Sequence, residues 1–101
     1  MSSRARLNED EIAAALADLP EWSREGDGTI VRTADARDFP AAIRVVVAVA
    51  EQAEALDHHP DIDIRWRTLH FALSTHSAGG LTALDFTLAA RIDAAMSAES
   101  A

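Results

Sequence analysis

Apolar positions along the chain fall into alternating stretches, some with the spacing of a helix and some with that of a short strand. Ile12, Ala15, Leu16 and Leu19 stand at i, i+3, i+4 and i+7, one face of a helix. Asn8 is placed to cap it, with Glu11 three residues on completing a capping box, and Pro20 ends it. Trp22-Ser23 and Thr29 to Thr33 read as short strands around the turn Glu25-Gly26-Asp27-Gly28. Asp38 is the next cap, with Pro40 in the first turn, and Ile43, Val46, Val47, Ala50 and Glu54 follow at helical spacing. Val45-Val46-Val47 is β-branched and prefers strand locally. A helix is still expected, because Ala41 to Leu56 is too long for one strand and rich in alanine. Asp57-His58-His59-Pro60 closes it, since a residue before proline avoids the helical region.

Asp61 to Arg65 and Leu69 to Thr75 read as two further strands joined by a tight turn near Trp66-Arg67. In the second, Leu69, Phe71, Leu73 and Thr75 share one side; His70, Ala72, Ser74 and His76 share the other. Gly79-Gly80 breaks the chain. Thr82 with Asp85 forms another capping box, and Leu84, Leu88, Ile92 and Met96 line one stripe of a final helix. The order α-β-β-α-β-β-α, with strands joined by turns, implies antiparallel pairing. The economical arrangement is an α+β fold: one four-stranded antiparallel sheet with three helices on one face, in one domain over residues 1–101. The bare face and edges of such a sheet need cover, so a homo-oligomer, dimer or tetramer, is expected.

Composition narrows the function. The 101 residues carry 9 arginines, no lysine and 17 carboxylates, for a net charge of −8. An acidic chain repels phosphate backbones and anionic lipid surfaces, which argues against nucleic acid and membranes as partners. No apolar stretch approaches the length that spans a bilayer, and the first ten residues hold no apolar signal core. A cytoplasmic protein is expected. The absence of cysteine removes disulfides, thiolate metal sites and cysteine nucleophiles together.

Chemistry then rests on histidine, the side chain that exchanges protons near neutral pH. His58 and His59 stand after the second helix and His76 at a strand end, so the three can converge at one rim of the sheet. Such a cluster suits general acid–base catalysis of an elimination or hydration. Surface histidines with no catalytic task are the plain alternative. His70 shares strand parity with His76 but lies six residues away, roughly 20 Å, and reads as structural or interfacial. Glu54 with the histidines offers zinc-type ligands, yet no H-x-x-x-H helical spacing is present, and no metal is expected. Glu54 lies one helical turn before His58 and can orient a histidine or bind a polar ring. Asp85 has a plain role as the third residue of a capped helix. Trp66 is either a lid on the core or a stacking wall for a flat ligand, and Trp22 reads as core.

Glu54-x-x-x-His58-His59-Pro60, then Trp66, Ser74-Thr75-His76, Gly79-Gly80-Leu81-Thr82 and Asp85 together resemble the pterin-4a-carbinolamine dehydratases. The resemblance runs from about Leu7 to Met96 and takes in Trp22, Asp38-Phe39 and the closing Asp85-Phe86-x-Leu88-Ala89-x-Arg91-Ile92-Asp93. It implies the same α+β fold and dehydration of 4a-hydroxytetrahydrobiopterin to quinonoid dihydrobiopterin, a step in recycling a reduced pterin, with no metal or organic cofactor. It further implies that His58 and His76 form the acid–base pair and that His59 binds the pterin. Glu54, Trp66 and Asp85 would stand around the pocket. A neutral pterin needs no basic pocket, in keeping with the charge of −8. The competing reading is a non-catalytic relative that uses the same fold as a protein-binding or assembly module.

Overall fold

The computed structural model describes residues 4–100; residues 1–3 and 101, part of the ends expected to be loose, lie outside them. The first helix, α1 (Glu9–Ala17), starts where its capping box predicts: Asn8 Oδ1 accepts the Glu11 amide at 2.8 Å and Glu11 returns the bond to the Asn8 amide at 2.9 Å. Strands β1 (Ser23–Glu25) and β2 (Thr29–Asp35) follow. Glu25 pairs with Thr29, so the turn shrinks to residues 26–28, with Gly26 at φ 63° supplying the left-handed position. The first strand therefore begins at Ser23, and Trp22 sits just before it, 5% exposed. Strand β2 runs two residues beyond Thr33 because the next strand but one continues to pair with it, and the Thr68 hydroxyl donates to Asp35 at 2.7 Å.

Helix α2 (Phe39–Leu56) is capped by Asp38, whose carboxylate accepts the Ala41 amide at 2.8 Å. The valine run is helical, as its length and alanine content predict. Its buried stripe is rotated from the expected one. Ala41, Ala42, Val45, Val49 and Ala53 face the core, while Ile43 and Val47 are 41% and 53% exposed. The small alanines let the helix axis approach its neighbours closely, which turns the larger residues Phe39, Ile43 and Val47 outward.

Strands β3 (Asp61–Arg65) and β4 (Thr68–Leu73) form a hairpin, and the sheet order is β1-β2-β4-β3, antiparallel throughout. Leu69, Phe71 and Leu73 alternate inward from the central strand β4, while Thr68, His70 and Ala72 face the open side. Strand β4 stops two residues short of the expected Thr75, for a reason that belongs to the site below. Helix α3 (Ala83–Glu99) completes the fold, burying Leu84, Leu88, Ile92 and Met96 as read from the sequence. Asp93 of α3 fixes the far side of the sheet by accepting Trp22 Nε1 at 2.8 Å and pairing with Arg32. Among the described residues no helix is long and apolar enough to cross a membrane.

The end of α3 is clamped to the start of α2. The Glu99 carbonyl accepts the Arg37 amide at 3.0 Å, and its carboxylate pairs with Arg44 at 3.0 Å and Arg37 at 2.8 Å. Hydrogen bonds from Arg44 hold the Glu99 carboxyl below the ordinary glutamate range; burial opposes this and the Arg37 charge assists it. Because the folded-state value is depressed, the clamp stabilises fully above the ordinary glutamate value of about 4.5 and weakens as pH falls through the lower, folded-state value. Glu99→Gln should therefore melt below the parent chain at pH 7, and the gap should close in acid. Thermal unfolding of both proteins across that range checks it.

Candidate active site

Helix α2 ends abruptly. Asp57 takes the left-handed conformation (φ 50°, ψ 47°), and its amide closes the last turn on Ala53 and Glu54. That reversal, followed by the His58 amide donating to Ala53 O at 3.0 Å, turns His58 back under the helix, where it is 6% exposed. His58 Nε2 then meets Asp85 Oδ1 at 2.6 Å. Asp85 is 0% exposed and lies in the first turn of α3. Its second oxygen accepts the Thr75 hydroxyl at 2.8 Å and the Thr82 amide at 2.9 Å, the latter being the return half of the expected capping box. Since the single Thr75 hydroxyl proton goes to Asp85, the Thr82 hydroxyl donates to Thr75, 2.9 Å away. Every polar group of this buried cluster is thus engaged, as a low-dielectric site requires.

The same cluster ends β4. Thr75 is 2% exposed, bridges Gly80, and accepts the Ala78 amide on its carbonyl at 3.0 Å. The chain leaves the sheet at Thr75 and folds into a 3-10 turn over His76–Ala78, closed by Gly79 at φ 71°. His76 consequently stands on a tight turn and not on a strand. It lines a cleft of about 270 Å³ with Gly28, Thr29, Ser74, Gly79 and Gly80, and its Nε2 lies 3.2 Å from Ser74 Oγ. The floor of that cleft joins two distant loops: a Cβ on Gly28 would stand 3.6 Å from Gly80 Cα.

His58, His59 and His76 thus share one end of the sheet, where β3 begins and β4 has ended. Through Asp85, His58 is held to Thr75, the residue before His76; of the three histidines only His76 lines the cleft. His59 is outside this buried cluster; it is 57% exposed at its side chain and pairs with Glu54 at 2.6 Å. In both His58 and His59 the carboxylate engages Nε2, so the hydrogen-bonded nitrogen carries the proton and Nδ1 is the atom left for a ligand. Asp85, expected beside the substrate, is sealed from the cleft with both oxygens engaged; it holds His58. Trp66 stands apart from the histidines. It occupies the left-handed position of the β3–β4 turn (φ 56°), is 70% exposed and lies beneath Arg67, 5.0 Å from its guanidinium carbon. Five strand residues separate that turn from the histidine end, roughly 17 Å, so within one chain Trp66 cannot wall the cleft. His70 is on the open face, its Nδ1 2.7 Å from Thr33 Oγ1. Sequence reasoning gives Thr75 and Thr82 as motif members, and Thr82 as a helix cap, but assigns neither a role toward His58. The available signal was a polar residue at Thr75 on the apolar parity of Leu69, Phe71 and Leu73. Among the described residues no three His, Cys, Asp or Glu side chains converge as a metal site would.

The chain matches the family described as Pterin 4 alpha carbinolamine dehydratase over residues 5–95. Two relatives that bear the pterin-4-alpha-carbinolamine dehydratase name in provisional form come from Nocardia farcinica and Chloroflexus aggregans. The first is 62% identical over 87 residues, covering 86% of this chain and 90% of the relative. The second is 57% identical over 89 residues, covering 88% and 95%. A crystal structure titled transcriptional coactivator/pterin dehydratase from Brucella melitensis superposes with a TM-score of 0.86 at 35% identity, covering 90% of this chain and 98% of that one.

The Asp85 cluster makes a prediction about stability. Asp85→Ala leaves three buried donors without an acceptor, and at about 1–3 kcal/mol for each orphaned group it should cost several kcal/mol. Thr75→Val should cost about 1–2 kcal/mol, and Thr75→Ser less, because it keeps the hydroxyl. Urea denaturation midpoints of the three variants check the order.

Proposed function

The chain belongs to the pterin-4a-carbinolamine dehydratase family, and from that premise we propose that it dehydrates 4a-hydroxytetrahydrobiopterin to quinonoid dihydrobiopterin and water by histidine acid–base catalysis, recycling a reduced pterin in the cytoplasm. The observation that carries the reading is the buried His58–Asp85 pair, fixed by Thr75 and Thr82 one residue away from His76 at the cleft. Burying an imidazole against a carboxylate carries a desolvation cost that apolar packing of the same volume would avoid, and this supports a task for the ring.

The reaction needs two proton movements. The C4a–O bond breaks, its electron pair leaves with oxygen, and a general acid supplies the proton that makes the leaving group water. The N5–H proton goes to a general base, and its electron pair forms the N5=C4a double bond. His58 and His76 fill these two roles, each contributing about 10²–10⁴-fold. Asp85 is a positioning residue: it fixes the His58 ring and its protonated nitrogen. His59, oriented by Glu54, binds an edge of the pterin through Nδ1.

A protein-binding module is the second reading. It is favoured by the exposed apolar stripe of Phe39, Ile43 and Val47 along α2. In the dehydratase reading that stripe, with the unpaired edges of β1 and β3, joins copies of the chain into a homodimer or homotetramer.

Purified protein should accelerate dehydration of the carbinolamine well above its spontaneous rate, and His58→Ala and His76→Ala should each lower kcat by about 10²-fold or more. Unchanged rates in both variants would reject the assignment and favour the binding module. Light scattering should give a mass of two or four times 10.8 kDa, and Val47→Glu should shift it toward one.

A further inference from the structure

Arginine is this chain's only long cationic side chain, and carboxylates outnumber it. Eight of the nine arginines are engaged: with Asp57, Glu9, Asp93, Asp63 and Glu99, which takes two, and through Arg67 with Ala36 O and Arg91 with Gln52. The Arg6 side chain alone has no hydrogen bond or ion pair among the described residues. Its position is nonetheless fixed. Its backbone bridges Thr82, the cap of α3, and the next amide, Leu7, donates to Leu81 O at 2.9 Å. Its side chain lies across Gly80, where a Cβ would stand 3.0 Å from Arg6 Nε. The Arg6 side chain is exposed, so its guanidinium is hydrated and, with no protein acceptor to displace, its fork of donors is open to a ligand that lies over Gly80.

Arg6 lines a cavity of about 340 Å³ with Glu9, Arg24, Asp27 and Gly80. Gly80 also lines the His76 cleft, and Asp27 and Gly28 are consecutive residues with one facing each space. The two cavities therefore adjoin across the Gly28–Gly80 contact. We propose that the Arg6 cavity is a subsite for the C6 substituent of the pterin and selects a hydroxylated tail; this rests on the dehydratase reading above. The charge pattern sets the tail's chemistry. Glu9 is neutralised by Arg24 at 2.7 Å. That leaves the Arg6 donors facing a space shared with the Asp27 carboxylate, which has no side-chain partner among the described residues. A hydroxyl both accepts and donates, so it satisfies both groups. An anionic tail would meet Asp27, and an alkyl tail would leave Arg6 unused.

The test compares carbinolamine substrates that carry a dihydroxypropyl, a methyl or a carboxylate-bearing group at C6, assayed with the parent protein, Arg6→Ala and Asp27→Ala. The parent should favour the dihydroxypropyl substrate in kcat/KM. Arg6→Ala should erode that preference over the methyl substrate about tenfold, through KM with kcat little changed. Asp27→Ala should erode it in the same direction, with melting temperatures close to the parent's in both variants. A preference unaltered by Arg6→Ala overturns the subsite. So does an equal loss on the dihydroxypropyl and methyl substrates, or a parent preference for the carboxylate tail. If the parent turns over no substrate, the dehydratase reading itself falls; if it turns over the methyl substrate without preference, only the subsite does.

Discussion

One buried carboxylate organises this end of the molecule. Asp85 takes a proton donor from the loop after α2, one from the loop after β4 and one from the cap of its own helix. Each donor would be an uncompensated polar group in the core without it, and the carboxylate would be unsolvated without them. The four groups can only be buried together. That mutual dependence ties α2, β4 and α3 into one corner, and the histidines at that corner are placed as a by-product of satisfying it.

This arrangement separates the placement of the histidines from hydrophobic packing. The apolar core of Leu69, Phe71, Val45, Leu88 and Ile92 holds sheet to helices. It does not determine which way the ring of His58 points. Polar satisfaction does, with a directionality that apolar contact lacks. His76 depends on the same cluster indirectly, since the departure of Thr75 from the sheet sets the turn on which His76 stands.

The helices and the hairpin were legible because their signals are local. Asn8 with Glu11, Asp38 with Pro40, and Thr82 with Asp85 marked helix starts within a residue or two, and alternation marked β4. The histidine cluster was legible as motif spacing. What the sequence did not disclose required knowing what lies across space. The helical period of α2 was visible, but choosing its inner face meant knowing that alanines meet the neighbouring layers. Trp66 follows the histidines closely in sequence, while the hairpin carries it to the opposite end of the sheet. Helix-start spacing shows Asp85 as a cap, which it is; that its other oxygen serves His58, a contact 27 residues away, has no local signal. The isolation of Arg6 could not be foreseen either, because being unpartnered is a property of the whole surface.

The connection from α2 to β3 has four residues: Asp57 in the left-handed conformation, His58 buried, His59 at the surface, and Pro60 entering the strand. It is a tether without slack. One added residue would swing the imidazole off its anchor and leave the buried carboxylate short of a donor, so the displaced ring and a loosened corner come together. The same insertion at the glycine turn between β1 and β2 would have room to bulge outward and would leave that corner intact.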